Sequence, residues 1–403
     1  MDDQKDNHNE KYKPDYEEIQ KVFSEVEDDD YYTSLEVKQE PKQKGHNKKR
    51  NIIWILVVLV IVVIAVVGGY FWLKMNKVNK TEIAPEEIQS NQLTQEQEEV
   101  MEEYTQIAVF GVDNRTNGTY GTGNSDTIMI ASVNNKTKEV KLVSVYRDTY
   151  LRVNSDGYYG KANAAYSFDG AAAGISMLNT NFDLDLNRYV SVDWYAVVEG
   201  INLLGGVQIE ITEAERQKIN EYIPEVEKVT GIKTDRVQNS GIVKLDGVQA
   251  MAYMRIRKLA GNDYKRTQRQ RMVIQATFEQ IKQSDLTTLN KMVDQIFPMV
   301  ETNLSVKEIL ALAMHMGKYQ IVSTTGFPFD KDTIVIDGIG DAVIPITLAT
   351  NVSKLKGYLY GNEEEVSNEV LEISQEIISR TGLDLENSEV DTDSYTTGIN
   401  ISE

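Results

Sequence analysis

The chain has 403 residues, of which 41% are hydrophobic and 26% charged, and its formal net charge is −20; that length accommodates one large domain or two ordinary ones with polar extensions. It has no cysteine and three histidines, His8 and His46 in the polar N-terminal stretch and His315 further on, which excludes disulfides and cysteine–zinc sites and argues against multi-histidine metal sites and a Ser-His-Asp triad. The acidic balance also argues against nucleic acid as a partner, because phosphate-backbone affinity needs widespread positive charge.

Residues 1–40 carry 14 acidic and 5 basic side chains, and residues 41–50 carry five basic groups and no acid. The composition of 1–50 predicts a disordered cytoplasmic tail ending in a basic juxtamembrane segment. Residues 52–73, IIWILVVLVIVVIAVVGGYFWL, are uncharged and mostly apolar. As a helix they would extend ~33 Å, enough to cross a bilayer core. Trp54 lies near one end and Tyr70 and Trp72 near the other, as interfacial aromatics do. Five basic residues precede the span and three follow it. This bias predicts a single-pass membrane helix at 51–73 with the bulk of the chain outside. Residues 74–104 read as a polar, Gln/Glu-rich stalk, 105–361 as the folded domain, and 362–403 as an acidic, largely disordered tail that begins with a helix around 366–378.

Within the folded region, Gln106–Val112 is a short strand-like run. Thr127–Val133 and Glu139–Tyr146 form a hairpin around NNKTK. Helical spacing follows at Ala162–Leu178 and Trp194–Leu204, then a strand at Val207–Ile211. Asp246 is placed to cap a short helix, LDGVQAM, leading into a strand that carries Arg255 and Arg257. Thr267–Gln283, Leu289–Val300 and Val306–Met316 read as helices, and Thr333–Ile336 as a strand. This alternation predicts an α/β (α+β) fold, a mixed central sheet flanked by helices.

Two constellations carry chemistry. RIRKLAGNDYKRTQRQR, Arg255 to Arg271, packs seven positive charges and one negative into an acidic chain. Arg255 and Arg257 would share one face of a strand, and Arg266, Arg269 and Gln270 one side of a helix. Arginine's planar fork matches phosphate or carboxylate oxygens in pairs, so paired spacing on successive elements points to an anionic ligand; the alternative is a solvated basic face. A helix starting near Arg266 would add its free N–H groups to that pull. The second constellation is Asp113, Asp126, Arg147 and Asp148 at strand ends. If those strands are neighbours, the carboxylates suit Mg²⁺ shared with phosphate oxygens; otherwise they are turn-forming or capping aspartates.

FGVDNR (110–115), SDTIMIASVN (125–134), SVYRDTYL (144–151), KANAAY (161–166), LDGVQAMAYMRIR (245–257) and DYKRTQRQR (263–271), in that order, resemble the LytR-CpsA-Psr family of Gram-positive cell-envelope proteins. The resemblance implies an extracellular, membrane-anchored phosphotransferase. Such an enzyme moves a glycopolymer, whether teichoic acid, capsule or another, from an undecaprenyl-pyrophosphate carrier onto peptidoglycan, with an apolar channel for the prenyl chain. By position it makes Asp113 and Asp126 the Mg²⁺-associated aspartates. It places Arg147, Arg255, Arg257, Arg266 and Gln270 at the pyrophosphate, where Arg115 and Lys161 join them from matching motifs and Arg269 by its helical spacing, with Arg147, Arg255, Arg257, Arg266 and Asp263 catalytic. Asp263 or Asp148 is the candidate base. Tyr146 stands where the family often has proline, and Lys265 where it often has glycine. A polyprenyl-pyrophosphate hydrolase and a non-enzymatic envelope sensor are the rival readings.

Overall fold

The computed structural model describes residues 79–112, 120, 123–257, 259 and 262–392. The predicted tail 1–50 and membrane span 51–73 lie outside these residues. Among the described residues, no helix is long and apolar enough to cross a membrane.

In chain order the first elements are β1 (Asn79–Lys80), α1 (Gln95–Glu102), β2 (Tyr104–Val112), β3 (Ser125–Asn134) and β4 (Glu139–Val145), followed by a short hairpin of β5 (Tyr150–Arg152) and β6 (Tyr159–Lys161). Helix α2 (Tyr166–Phe182), β7 (Tyr189–Val192), α3 (Trp194–Leu203), β8 (Val207–Ile211), α4 (Glu213–Thr230), β9 (Gly241–Leu245) and α5 (Gly247–Met254) come next. The remainder comprises α6 (Asn262–Gln283), α7 (Leu286–Gln295), β10 (Val300–Thr302), α8 (Val306–Met314), β11 (Gln320–Phe327), β12 (Asp330–Ile336), β13 (Gly340–Pro345), α9 (Leu348–Tyr360), α10 (Asn368–Thr381) and β14 (Asp391–Thr392). Seven strands form the central sheet in the order β1-β10-β7-β2-β3-β4-β11. It is mixed: β2, β3 and β4 run antiparallel to one another, while β7 lies parallel to β2 and β11 parallel to β4. The predicted α/β architecture is therefore the one observed.

Side chains alternate across this sheet as the pleat requires. Phe110, Ile128, Ile130 and Val143 enter a core with Ile175 and Leu178 of α2, Val352 and Leu355 of α9, and Ile373 of α10. Met129, Val133 and Leu142 face the other way, where Ile274 and Phe278 of α6 pack. A third apolar cluster joins α3, α4 and α5 to the β8–β9 hairpin.

Three predicted boundaries change. The predicted strand at Arg255–Arg257 is instead the end of a helix. Asp246 and Gln249 form a reciprocal capping box that starts α5, and Arg255 caps its C-terminus. Gly247 is needed there because a Cβ would fall 2.0 Å from the Val198 carbonyl oxygen. The period-two arginines misled because Val248, Ala250, Met251, Ala252 and Tyr253 before them are all buried, leaving no amphipathic contrast.

The stalk also joins the fold before residue 105. β1 pairs with β10, Ile83 and Ile88 pack on the main core, and Asn91 donates to the buried Asp183 at 2.7 Å. Nor does the body end at 361. Val370, Ile373 and Ile377 of α10 are buried in the main core, and β14 pairs with β12. That i, i+3, i+7 stripe outweighs the acidic composition around it.

Candidate functional site

Between the second face of the sheet and helices α3, α5, α6 and α7 lies a cavity of about 790 Å³. Its lining is graded. Asp126 at the start of β3, Arg147 just beyond β4, and Arg266 and Gln270 near the start of α6 all border it. Further along β3 come Met129 and Ala131, and further along α6 come Ile274, Phe278 and Ile281. Arg255 and Arg257 complete the cationic end. Four arginines from three separate chain segments thus meet at one end of a space that is otherwise apolar.

Antiparallel pairing of β2, β3 and β4 brings together the described members of the carboxylate constellation, Asp126, Arg147 and Asp148. Val112 is the register partner of Ser125, so β3 starts beside the end of β2. β4 ends in register with Ile128, which carries Arg147 back to the start of β3. Arg147 Nη1 donates to Asp126 Oδ1 at 2.6 Å and its Nε to Asp148 Oδ2 at 3.4 Å. Lys161 Nζ lies 3.2 Å from the other oxygen of Asp148. Lys161 therefore reaches the site through Asp148 and Arg147 and does not line the cavity. Asp113 and Arg115 lie outside the described residues. Asp263 falls in the first turn of α6.

Arg255 is held by chemistry that leaves a donor over. Its guanidinium lies 4.1 Å from the Trp194 ring centroid and 5.6 Å from that of Tyr222. Its Nη2 donates to Glu225 at 2.9 Å, while Nη1 is buried without a hydrogen-bond partner. A buried guanidinium N–H left unmatched is costly, and a phosphate oxygen in the cavity would satisfy it. Arg266 is only 4% exposed although it borders the cavity. Helix α6 begins at Asn262 rather than near Arg266, so Arg266 sits a full turn in and its N–H is not one of the free N-terminal donors.

Arg269 is the clear departure from the predicted pyrophosphate set. Its Nε donates to Glu215 at 2.8 Å and its Nη1 to the Ile256 carbonyl at 3.1 Å. Both ends are thereby occupied tying α6 to α4 and to the turn after α5, and Arg269 is absent from the cavity wall. Beneath it, burial foremost holds the Tyr253 phenol above its usual range, and the nearby Glu215 carboxylate adds to the effect.

Sequence reasoning missed Lys331 altogether. It is 1% exposed, on β12, with its ammonium 4.7 Å from the Tyr264 ring centroid and 5.7 Å from that of Tyr146. Those tyrosines contact each other edge to face at 4.7 Å. Tyr146 immediately precedes Arg147, and Tyr264 stands two residues before Arg266. Lys331 and the two rings, one of them the tyrosine that stands where the family often has proline, thus form a mutually contacting bracket behind two site arginines. Gly326 makes room for it, since a Cβ there would fall 2.1 Å from the Tyr146 hydroxyl. A lysine flanked by Asp330 and Asp332 reads as a solvated charge and gives no sequence signal of such a role.

Among the described residues, no group of three or more His, Asp or Glu side chains is placed to hold a metal ion. Two described carboxylates line the cavity; Asp193 caps α3 by accepting from the Ala196 N–H at 2.8 Å, and Asp126, at the cationic end, fits the one-or-two-carboxylate pattern of a magnesium ion that takes its other ligands from phosphate and water.

The profile of the LytR_cpsA_psr family matches residues 70–354. A polyisoprenyl-teichoic acid–peptidoglycan teichoic acid transferase, TagU of Enterococcus faecalis, is 26% identical over 57% of this chain and 72% of its own length. The Bacillus subtilis transferase of the same description, TagT, is 27% identical over 72% of this chain and 91% of its own length. Among solved structures, protein gbs0355 of Streptococcus agalactiae superposes with a TM-score of 0.54 at 21% identity, covering 67% of this chain and 93% of that one. It shares the fold.

Proposed function

The chain belongs to the LytR-CpsA-Psr family, and from that premise we propose that it is a membrane-anchored phosphotransferase. It takes a glycopolymer from a polyprenyl-pyrophosphate carrier, undecaprenyl in the expected case, and joins it to peptidoglycan. The observation that carries this reading is the graded cavity, cationic where Arg147, Arg255, Arg257 and Arg266 converge and apolar beyond. An amphiphile with a diphosphate head and a hydrocarbon tail has the same two-part chemistry. The names of the relatives support a teichoic-acid type of polymer.

In this mechanism a sugar hydroxyl of peptidoglycan attacks the phosphorus nearest the glycan. A new P–O bond forms, the bridging P–O bond breaks, and prenyl phosphate leaves with the electron pair. The hydroxyl proton passes to a carboxylate, with Asp148 or Asp263 the candidates, or to water. Phosphoryl transfer needs mainly positioning and charge neutralisation. The stacked Arg255 and the Asp126-paired Arg147 are pre-oriented for that work. Asp126, with Asp113, would hold Mg²⁺, which when bound supplies further neutralisation of pyrophosphate oxygens. Residues 51–73 would anchor the chain as a single-pass span with the catalytic body outside the cell, where both substrates are found.

The test is reconstitution of the detergent-solubilised chain with lipid-linked glycopolymer and peptidoglycan strands. Prenyl phosphate and strand-linked polymer should appear in equal amounts. Arg266→Ala should lower the rate roughly 10- to 150-fold, the equivalent of one charge-assisted hydrogen bond worth ~1.5–3 kcal/mol. Prenyl phosphate release with no polymer joined to the strands would replace transfer with hydrolysis.

A further inference from the structure

A second cleft, on a different part of the surface, offers sugar-binding chemistry that the phosphate site does not use. It encloses about 150 Å³ between the β5–β6 hairpin, the segment before α1 and one side of α2 from Phe168 to Thr180. Its polar lining comes from Glu87, Gln89, Asn154, Ser155 and Asp169, with Asn154 Oδ1 accepting from the Tyr158 N–H at 2.9 Å. Phe168 stands at its rim, 50% exposed, and makes an edge-to-face contact at 6.3 Å with Tyr158, 53% exposed at the hairpin tip. Helix α2 breaks directly after Phe168, where Asp169 and Gly170 leave helical geometry. Tyr158 leans over Gly160 of the hairpin, where a Cβ would fall 3.2 Å from its ring, and with Phe168 leaves a half-exposed aromatic pair beside neutral and acidic hydrogen-bonding residues. Small-molecule sites combine these features, apolar faces with a few placed polar groups.

We propose that this cleft binds the glycan strand of the peptidoglycan acceptor; the identity of the occupant rests on the transferase reading above. Two observations favour the acceptor over the donor polymer. The first is continuity. The cleft borders the Arg152–Ser155 end of the hairpin, and the other end carries Lys161, whose ammonium contacts Asp148 beside Arg147. Arg152 lies two residues along the strand from Tyr150, the register partner of Lys161, about 7 Å at ~3.3 Å per residue. A saccharide chain bound along the hairpin therefore leads toward the reacting phosphate. The second is charge. Glu87 and Asp169 face the cleft, and Arg152, its one cation, is already paired with Glu369. Such a lining repels a polyanionic teichoic-acid chain and tolerates uncharged N-acetylated sugars.

The test uses the full chain in detergent, wild type against the Tyr158→Ala/Phe168→Ala double variant. Both side chains are exposed, so the variant should keep its melting temperature. Binding of purified, peptide-free peptidoglycan glycan oligomers is measured by calorimetry, which needs no turnover. The double variant should weaken that binding at least tenfold and leave prenyl-pyrophosphate binding unchanged. In transfer assays the loss should fall on the acceptor KM rather than on kcat. Equal glycan affinity in the two proteins would overturn the assignment. So would a poly(glycerol phosphate) chain that binds the wild type and loses affinity in the double variant, since the cleft would then serve the donor. Wild-type glycan binding without any transfer would count against the catalytic reading and leave the cleft standing.

Discussion

The two faces of the central sheet are built from alternate residues of the same strands, yet only one of them closes. Toward α2, α9 and α10, Phe110, Ile128, Ile130 and Val143 are at most 2% exposed and meet other side chains directly. Toward α6, the interleaved Val109, Met129, Ala131 and Leu142 border about 790 Å³ of open space. A cleft of this size, lined mainly by apolar side chains with a few placed polar groups, has the dimensions and chemistry of a ligand site. The residue types on the two faces are alike. The difference lies in what stands opposite: three helices packed flush on one side, and on the other a separate α3–α5 layer held away from the sheet.

The same contrast divides the arginines of α6, and here the largest effects are expected. Arg269→Ala should cost about 3–5 kcal/mol of folding stability, because it strands Glu215 in a pair whose side chains are 7% and 13% exposed. Urea unfolding measures it. Arg266→Ala, three residues earlier but bordering the cavity, should keep the fold and lose transfer. If Arg269→Ala unfolds no more easily than Arg266→Ala, the division between a structural and a ligand-facing arginine collapses.

Enlarging an alanine on each face should separate the faces more directly. Ala108 is fully buried in the closed core, so Ala108→Phe should destabilise by about 1–3 kcal/mol through overpacking. Ala131 borders the cavity, and Ala131→Phe should leave the melting temperature nearly unchanged while occupying space meant for the prenyl chain. Displacement of a fluorescent prenyl-pyrophosphate analogue reads the second effect; unaltered affinity in Ala131→Phe would mean that the lipid does not enter here.

Much of this was legible beforehand, for identifiable reasons. The β3–β4 hairpin, with Asp126 and Arg147 at its open end, follows from two period-two runs around a turn. The shared side of Arg266 and Gln270 follows from i, i+4 spacing. Local geometry carried those readings, and it failed where tertiary contacts decide. Arg269 has the same helical phase as its neighbours, but its fate depends on Glu215, 54 residues away. The cap at Asp246 is visible in the sequence, its reciprocal partner Gln249 only in the fold, and the arginines after them still read as a strand. Composition misled at both ends of the body, where Ile83, Ile88 and the α10 stripe are few among many charges. The cavity itself is a gap between layers, which no single stretch of sequence encodes.

Lys331 gives the finest division between the faces, since it supports the site without bordering the cavity. Its ammonium lies beside both rings, 4.7 Å from the Tyr264 centroid and 5.7 Å from that of Tyr146, donates to the Asp391 carbonyl at 3.4 Å and comes within 3.9 Å of the Asp391 carboxylate. A desolvated cation–π contact is worth about 2 kcal/mol. Lys331→Met preserves the length and packing of the side chain but removes the attraction that draws both tyrosines together. If the bracket orients Arg147 and Arg266, kcat should fall roughly tenfold, or ~1.4 kcal/mol, with little change in donor KM and with recovery in Lys331→Arg. A purely structural lysine would instead lower the melting temperature and leave kcat alone. The two outcomes differ in kind, so even an effect this small decides whether catalytic geometry is set only at the cavity wall or also by the residues packed behind it.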